Sequence, residues 1–151
     1  VAAPAPTPAP PMLSADSYGP VRFGAKLGDV EKELGTKGEE LGAKDPACHS
    51  VRFPSLPGVR FMVENGVVTR ADAEPGVANA LGLAVGDTLA DATRRHPALE
   101  VGPHKYEPAG HYLTMKKPDG GAAIVMEEDG KSITKIRAGL VPSVSYVEGC
   151  V

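Results

Sequence analysis

The segment His104-Lys105-Tyr106-Glu107, followed closely by His111-Tyr112, gathers two of the four histidines and two of the four tyrosines into nine residues. Two chemistries suit that composition. Imidazoles and a carboxylate are metal ligands, so His104, His111 and Glu107 outline a small metal-dependent hydrolase if a hairpin brings them together. Tyrosine and histidine also join an apolar body to a polar tip, which suits a recognition surface, and Lys105 adds a cation to it. The spacing holds no His-Glu-x-x-His pair of ligands, and polar residues exposed on a sheet explain the same histidines without any metal. No cofactor is expected. Arg52, Arg60 and Arg70 alternate along earlier strands, where they either rim the same surface or only solubilise it.

Other reaction chemistry finds little purchase. There is no Gly-x-Ser-x-Gly nucleophile turn. Cys48 has His49 beside it, but successive strand residues point to opposite faces, which argues against a catalytic pair. Gly82 and Gly86 lack the Lys-Ser/Thr that a phosphate-binding loop carries. Glu39-Glu40 and Glu127-Glu128 read as solvated charges in a loop and beside a turn. A net charge of −3, a pI near 5.8 and no tryptophan give no footprint for nucleic acid, either electrostatic or by base stacking. No apolar run approaches the roughly 18 residues that a membrane span needs. Another protein is therefore the expected partner.

The elements that must position these side chains repeat. Residues 59–73 form a hairpin pattern around Asn65-Gly66, a dipeptide that tolerates positive φ at both positions. Residues 122–136 repeat it around Asp129-Gly130. Ahead of the first hairpin, residues 24–35 read as a short helix with Leu27, Val30 and Leu34 on one stripe and Gly35 as its stop. Residues 86–97 read likewise, with Thr88 as N-cap, Asp91 three residues on and Pro97 as the stop. Helices align at an offset of 62 and hairpin turns at 64, so a duplicated unit is expected. Residues 21–23 and 48–53 read as further strands, and 144–150 as a terminal one. Residues 101–115 read as an extra hairpin turning at 107–110. A four-residue loop there faces Tyr106 with His111 and Lys105 with Tyr112. It places His104, Tyr106, His111 and Leu113 on one face and Lys105, Tyr112 and Thr114 on the other. The expected class is α+β: two tandem repeats, about 19–73 and 82–138, with helices on one face of a curved antiparallel sheet.

Residues 1–18 are set apart. Pro4, Pro6, Pro8, Pro10 and Pro11 interleave with alanine and threonine, a composition that favours an extended tether without a core. Such a tether commonly joins an export signal or lipid anchor to a folded domain, here 19–151, and is compatible with membrane attachment through the N-terminus. An exported location, in the periplasm, cell envelope or medium, is expected. Cys48 and Cys150 are too far apart in sequence for a CxxC pair. They read as a disulfide tying the first half to the C-terminus, or as two buried thiols.

The order Phe23-Gly24, Leu34-Gly35, Asn65-Gly66, then Val85-Gly86, His96-Pro97, Asp129-Gly130 resembles the tandem helix-plus-sheet repeat of secreted β-lactamase inhibitor proteins. It also resembles the single unit of small outer-membrane assembly lipoproteins. The resemblance spans most of residues 20–138 and implies the fold and a binding role on the sheet face, and no functional residue is carried over from it. By their composition His104, Lys105, Tyr106, His111 and Tyr112, and by their alternation Arg52 and Arg60, are the candidate binding residues of a non-enzymatic module, with the metal-dependent hydrolase and a structural envelope protein as the competing readings.

Overall fold

Both hairpins form and meet at the centre of one sheet, the first on the two-residue turn Asn65-Gly66 and the second, unlike it, on a four-residue loop over 129–132. The computed structural model describes residues 12–42, 45 and 47–146. The strands are β1 (Ser17–Tyr18), β2 (Val21–Arg22), β3 (Glu39–Glu40), β4 (His49–Arg52), β5 (Val59–Glu64) and β6 (Val67–Ala73) in the first half. β7 (Glu100–Pro103), β8 (His111–Lys116), β9 (Ala122–Glu128) and β10 (Ile133–Leu140) follow in the second. Helix α1 (Leu27–Leu34) precedes β3, and α2 (Leu89–Arg95) precedes β7. β1 and β2 pair alone; the other strands make one eight-stranded antiparallel sheet in the order β3-β4-β5-β6-β10-β9-β8-β7. The class is α+β.

The order of the second four strands mirrors the first four about the β6–β10 seam, where Asp72 pairs with Arg137 and Ala71 with Ala138. Each helix is also tied to its hairpin by the same backbone bonds. Gly24 N–H donates to Val68 O at 2.7 Å, and Val68 N–H donates to Ala25 O at 2.9 Å. In the second half, Gly86 N–H donates to Ile133 O at 2.9 Å and Ile133 N–H to Asp87 O at 2.8 Å. Gly24 and Gly86 have φ of 99° and 102°, a region where a side chain is strained, which explains a glycine ahead of each helix. Thr88 caps α2 by accepting from Asp91 N–H at 3.2 Å.

One apolar core lies between the helices and one face of the sheet. Leu27, Val30 and Leu34 of α1 and Leu89 and Ala92 of α2 pack into the cluster that holds Phe53, Phe61, Val68, Leu113, Met126 and Ile133. Alternation sends every second strand residue to that face. Leu13 and Tyr18 belong to the same core, at 0% and 5% exposure, so the folded unit starts earlier than residue 19 and the expected tether covers at most what precedes Leu13. Residues 1–11, the rest of that tether, lie outside the described residues, as does Cys150, the expected partner of Cys48. The expected terminal strand is corrected in its described part: Ser143–Ser145 is a single 3-10 turn. Among the described residues no helix is long and apolar enough to cross a membrane.

Candidate functional site

The face of the sheet away from the helices carries the polar halves of the alternating strands. Strict alternation from Val68 would send Arg70 into the core, and from Ile133 it would send Lys135 there. Each second hairpin strand instead shifts register, between Met62 and Val63 opposite β6 and between Ile133 and Lys135 on β10. The extra residue is Thr69 in one and Thr134 in the other. Such a bulge re-aims the residues beyond it. It delivers Arg70, Asp72, Lys135 and Arg137 to the helix-free face, together with Arg52, Arg60 and Glu127.

The centre of this face is not open. The chain beyond β10 folds back over it, and Val144, fully buried, packs on Ala123 and Val125. Two arginines, each 3% exposed, hold that segment by its carbonyls. Arg70 Nη1 donates to Ser143 O at 3.0 Å and to Tyr146 O. Arg137 Nε donates to Val144 O at 2.6 Å. Ser143 Oγ bonds Glu64, which also accepts from Thr69 Oγ1 at 2.8 Å.

Each of these arginines turns its other nitrogens to a carboxylate. Arg70 grips Asp72 in a fork, Nε to Oδ1 at 2.7 Å and Nη2 to Oδ2 at 2.9 Å. Arg137 Nη1 donates to Glu127 Oε2. Glu127 is shared, because His104 Nε2 meets its Oε1 at 2.7 Å. The His104 tautomer follows from its other nitrogen: Nδ1 faces the backbone N–H groups of Tyr106 at 3.0 Å and Glu107 at 3.1 Å. Two donors there require a lone pair on Nδ1, so the proton sits on Nε2 and is donated to Glu127. Burial alone would raise the Glu127 carboxyl, but the hydrogen bonds from His104 and Arg137 outweigh it and hold the group below its ordinary value.

The sequence-based candidates divide. His104 is a buried structural group, its side chain 6% exposed and its ring 4.4 Å from that of Tyr112. That corrects both the exposed-residue reading and the expected pairing. The register is Pro103 with His111 and Gly102 with Tyr112, because the His104 ring anchors a wider loop and β7 ends at Pro103. His104 therefore lies with Tyr112, whereas His111 lies on the helix side with Leu113 and bonds Glu128 at 2.8 Å. Neighbours Glu127 and Glu128 point to opposite faces, so the two histidines are kept apart and do not assemble a ligand set with Glu107. Among the described residues no three His, Cys, Asp or Glu side chains are grouped to hold a metal. Nor are Glu127 and Glu128 solvated, at 3% and 2% exposure.

Lys105 and Tyr106 stay on the surface, the ammonium 5.1 Å from the ring centre, and Tyr106 is 56% exposed. Tyr112 is half-buried, its hydroxyl accepting from Lys105 N–H at 3.0 Å. Arg52 and Arg60 do lie together, at the far end of the helix-free face from that loop. They border a cleft of about 340 Å³ with Lys135, Asp72 and Glu74. Sequence reasoning missed Arg137, Glu127, Asp72 and Lys135. The available signal was the second hairpin's likeness to the first, which places Lys135 where Arg70 stands. Compared with known family models, curated proteins and solved structures, the chain matches none.

Proposed function

We propose that this chain is an exported, non-enzymatic binding module that meets a protein partner with the helix-free face of its sheet, in an inhibitor-like or envelope-assembly role. One observation carries the reading. Both helices pack on a single face, while the opposite face seals its own middle and leaves polar, exposed ground at its two ends. One end offers exposed Arg60 and Lys135 with half-buried Arg52; the other offers exposed Lys116 with half-buried Tyr112 and Thr114, beside the Lys105–Tyr106 loop. Of these side chains the tyrosines and arginines, Tyr106, Tyr112, Arg52 and Arg60, are of the types enriched at protein interfaces.

A duplicated helix-plus-four-strand unit belongs to the same reading. It is supported by the mirrored strand order, by the matched glycines ahead of α1 and α2, and by bulges at Thr69 and Thr134. The proline-rich start and the expected Cys48–Cys150 bridge support export.

The test is affinity capture from envelope and culture-supernatant extracts with three baits. They are the wild type, a sheet-face variant (Arg60→Glu/Lys135→Glu/Tyr112→Ala) and a helix-side variant (Glu33→Arg), all checked for folding by circular dichroism. The expected result is one near-stoichiometric partner kept by the wild type and the helix-side variant and lost by the sheet-face variant. A partner held equally by all three baits, or none above background, overturns the proposal.

A further inference from the structure

We infer that the Arg52–Arg60–Lys135 cleft takes an acidic segment of a protein partner, carboxylates seated against the two guanidinium groups and the ammonium. This rests on the sheet-face binding reading and narrows it to one end of the face and one partner chemistry.

The local charge runs against that of the molecule. The chain carries −3 overall, yet five cationic side chains and three carboxylates line the cleft. The pairing inside it is uneven. Arg70 and Arg137 are buried and committed to Asp72, Glu127 and the carbonyls of residues 143–146, so they form a fixed floor. Asp72 is shared: besides the Arg70 fork its Oδ2 accepts from Arg60 Nη2 at 3.4 Å, a long pair in which the Arg60 side chain is 53% exposed. Arg52 holds Glu74 at 3.0 Å in a pair whose side chains are 40% and 55% exposed. Such exposed pairs contribute little and are readily exchanged. Its Nε is buried without a hydrogen-bond partner among the described residues. The Lys135 side chain is exposed and makes no hydrogen bond or ion pair among the described residues, its charge acting only at longer range on Glu127.

Register sharpens the point. Val51 pairs with Phe61, so Arg52 and Arg60, one residue beyond and one before, are cross-strand neighbours on the same face. Like charges in that relation repel, and an anion between them removes the repulsion. Carboxylate is the matching group because a guanidinium binds its two oxygens in parallel. The volume admits a few side chains rather than a domain, and the acidic surface elsewhere disfavours an extended polyanion. The occupant is therefore a short acidic stretch protruding from a partner.

The test titrates the isotope-labelled full chain with hexaglutamate, with hexaglutamine as the uncharged control and inorganic phosphate as the free-anion arm. Backbone amide shifts are read by NMR at low and at physiological salt. Saturable shifts confined to the amides around Arg52, Arg60 and Lys135 are expected, with no response to hexaglutamine. Affinity falls by about tenfold or more in Arg60→Glu/Lys135→Glu, and that folded variant gains binding of hexalysine at the same amides. Shifts scattered over all surface cations, or equal in wild type and variant, overturn the inference. So does phosphate that shifts the same amides and displaces hexaglutamate at equal concentration, because the site then takes a free anion. The two readings fail separately. If bait carrying only Arg60→Glu/Lys135→Glu keeps a partner that Tyr112→Ala loses, this inference is wrong and the sheet-face reading stands. If hexaglutamate binds as described while no sheet-face bait changes capture, the wider reading is wrong and the acidic-segment site stands.

Discussion

Replacing Glu127 by glutamine keeps the shape of the side chain and removes one charge from the most enclosed ion pair of the sheet. Both Arg137 and Glu127 side chains are 4% exposed, so the guanidinium left behind has no counter-ion and little water. Removing one partner of a buried pair costs roughly 3–5 kcal/mol. The glutamine oxygen still accepts from His104 or Arg137, which places the expected loss near the lower end, about 3 kcal/mol. At this chain length that corresponds to a fall in Tm of about 6–12 °C. The assay is urea unfolding followed by far-ultraviolet circular dichroism, since the chain has no tryptophan. A control at the exposed Arg94–Asp91 pair, 75% and 51% exposed, should lose no more than about 0.5 kcal/mol when Arg94 is changed to alanine.

The same substitution fixes a pH signature. The Glu127 carboxyl is held below its ordinary value, so the folded state binds fewer protons there than the unfolded chain. Its contribution is fully present above the unfolded value and is lost as pH falls through the lower, folded one. Wild type should therefore lose stability in acid more steeply than Glu127→Gln, and the two curves should converge as pH drops. A double variant, Glu127→Gln/Arg137→Met, should be more stable than the sum of its single changes by about 1 kcal/mol or more. If Glu127→Gln unfolds within about 0.5 kcal/mol of wild type, with parallel pH curves, the buried network does not hold the sheet face as described.

Gly139→Ala should destabilise by about 1–3 kcal/mol or more, because a Cβ there lies 2.3 Å from the Thr69 carbonyl oxygen across the β6–β10 seam; wild-type stability in urea would refute it. Leu13→Ala should cost about 2–5 kcal/mol, as the side chain is fully buried. An unchanged midpoint would restore the view that the leading segment is only a tether.

Local chemistry was legible wherever a residue type answers a backbone demand. Asn65 and Gly66 adopt φ of 51° and 80°, as the hairpin dipeptide requires, and Thr88 caps α2 because its hydroxyl reaches the Asp91 N–H. The order of a short helix followed by a run of strands, met twice, set the α+β class from sequence, and the Leu27, Val30 and Leu34 stripe of α1 does face the core. Tertiary structure decided the rest. A single bulge residue, Thr69 or Thr134, reverses the facing of every later position on its strand, and no local signal marks it, so alternation alone left the face of Arg70 open and did not bring Lys135 and Arg137 to the helix-free face. The register of β7 on β8 depends on His104 bonding Glu127, distant in sequence, which is why the histidines separated instead of converging. Covering of the sheet's centre by residues 143–146 is likewise long-range, held by two arginines whose side chains look like ordinary surface charges until β6 and β10 are placed side by side.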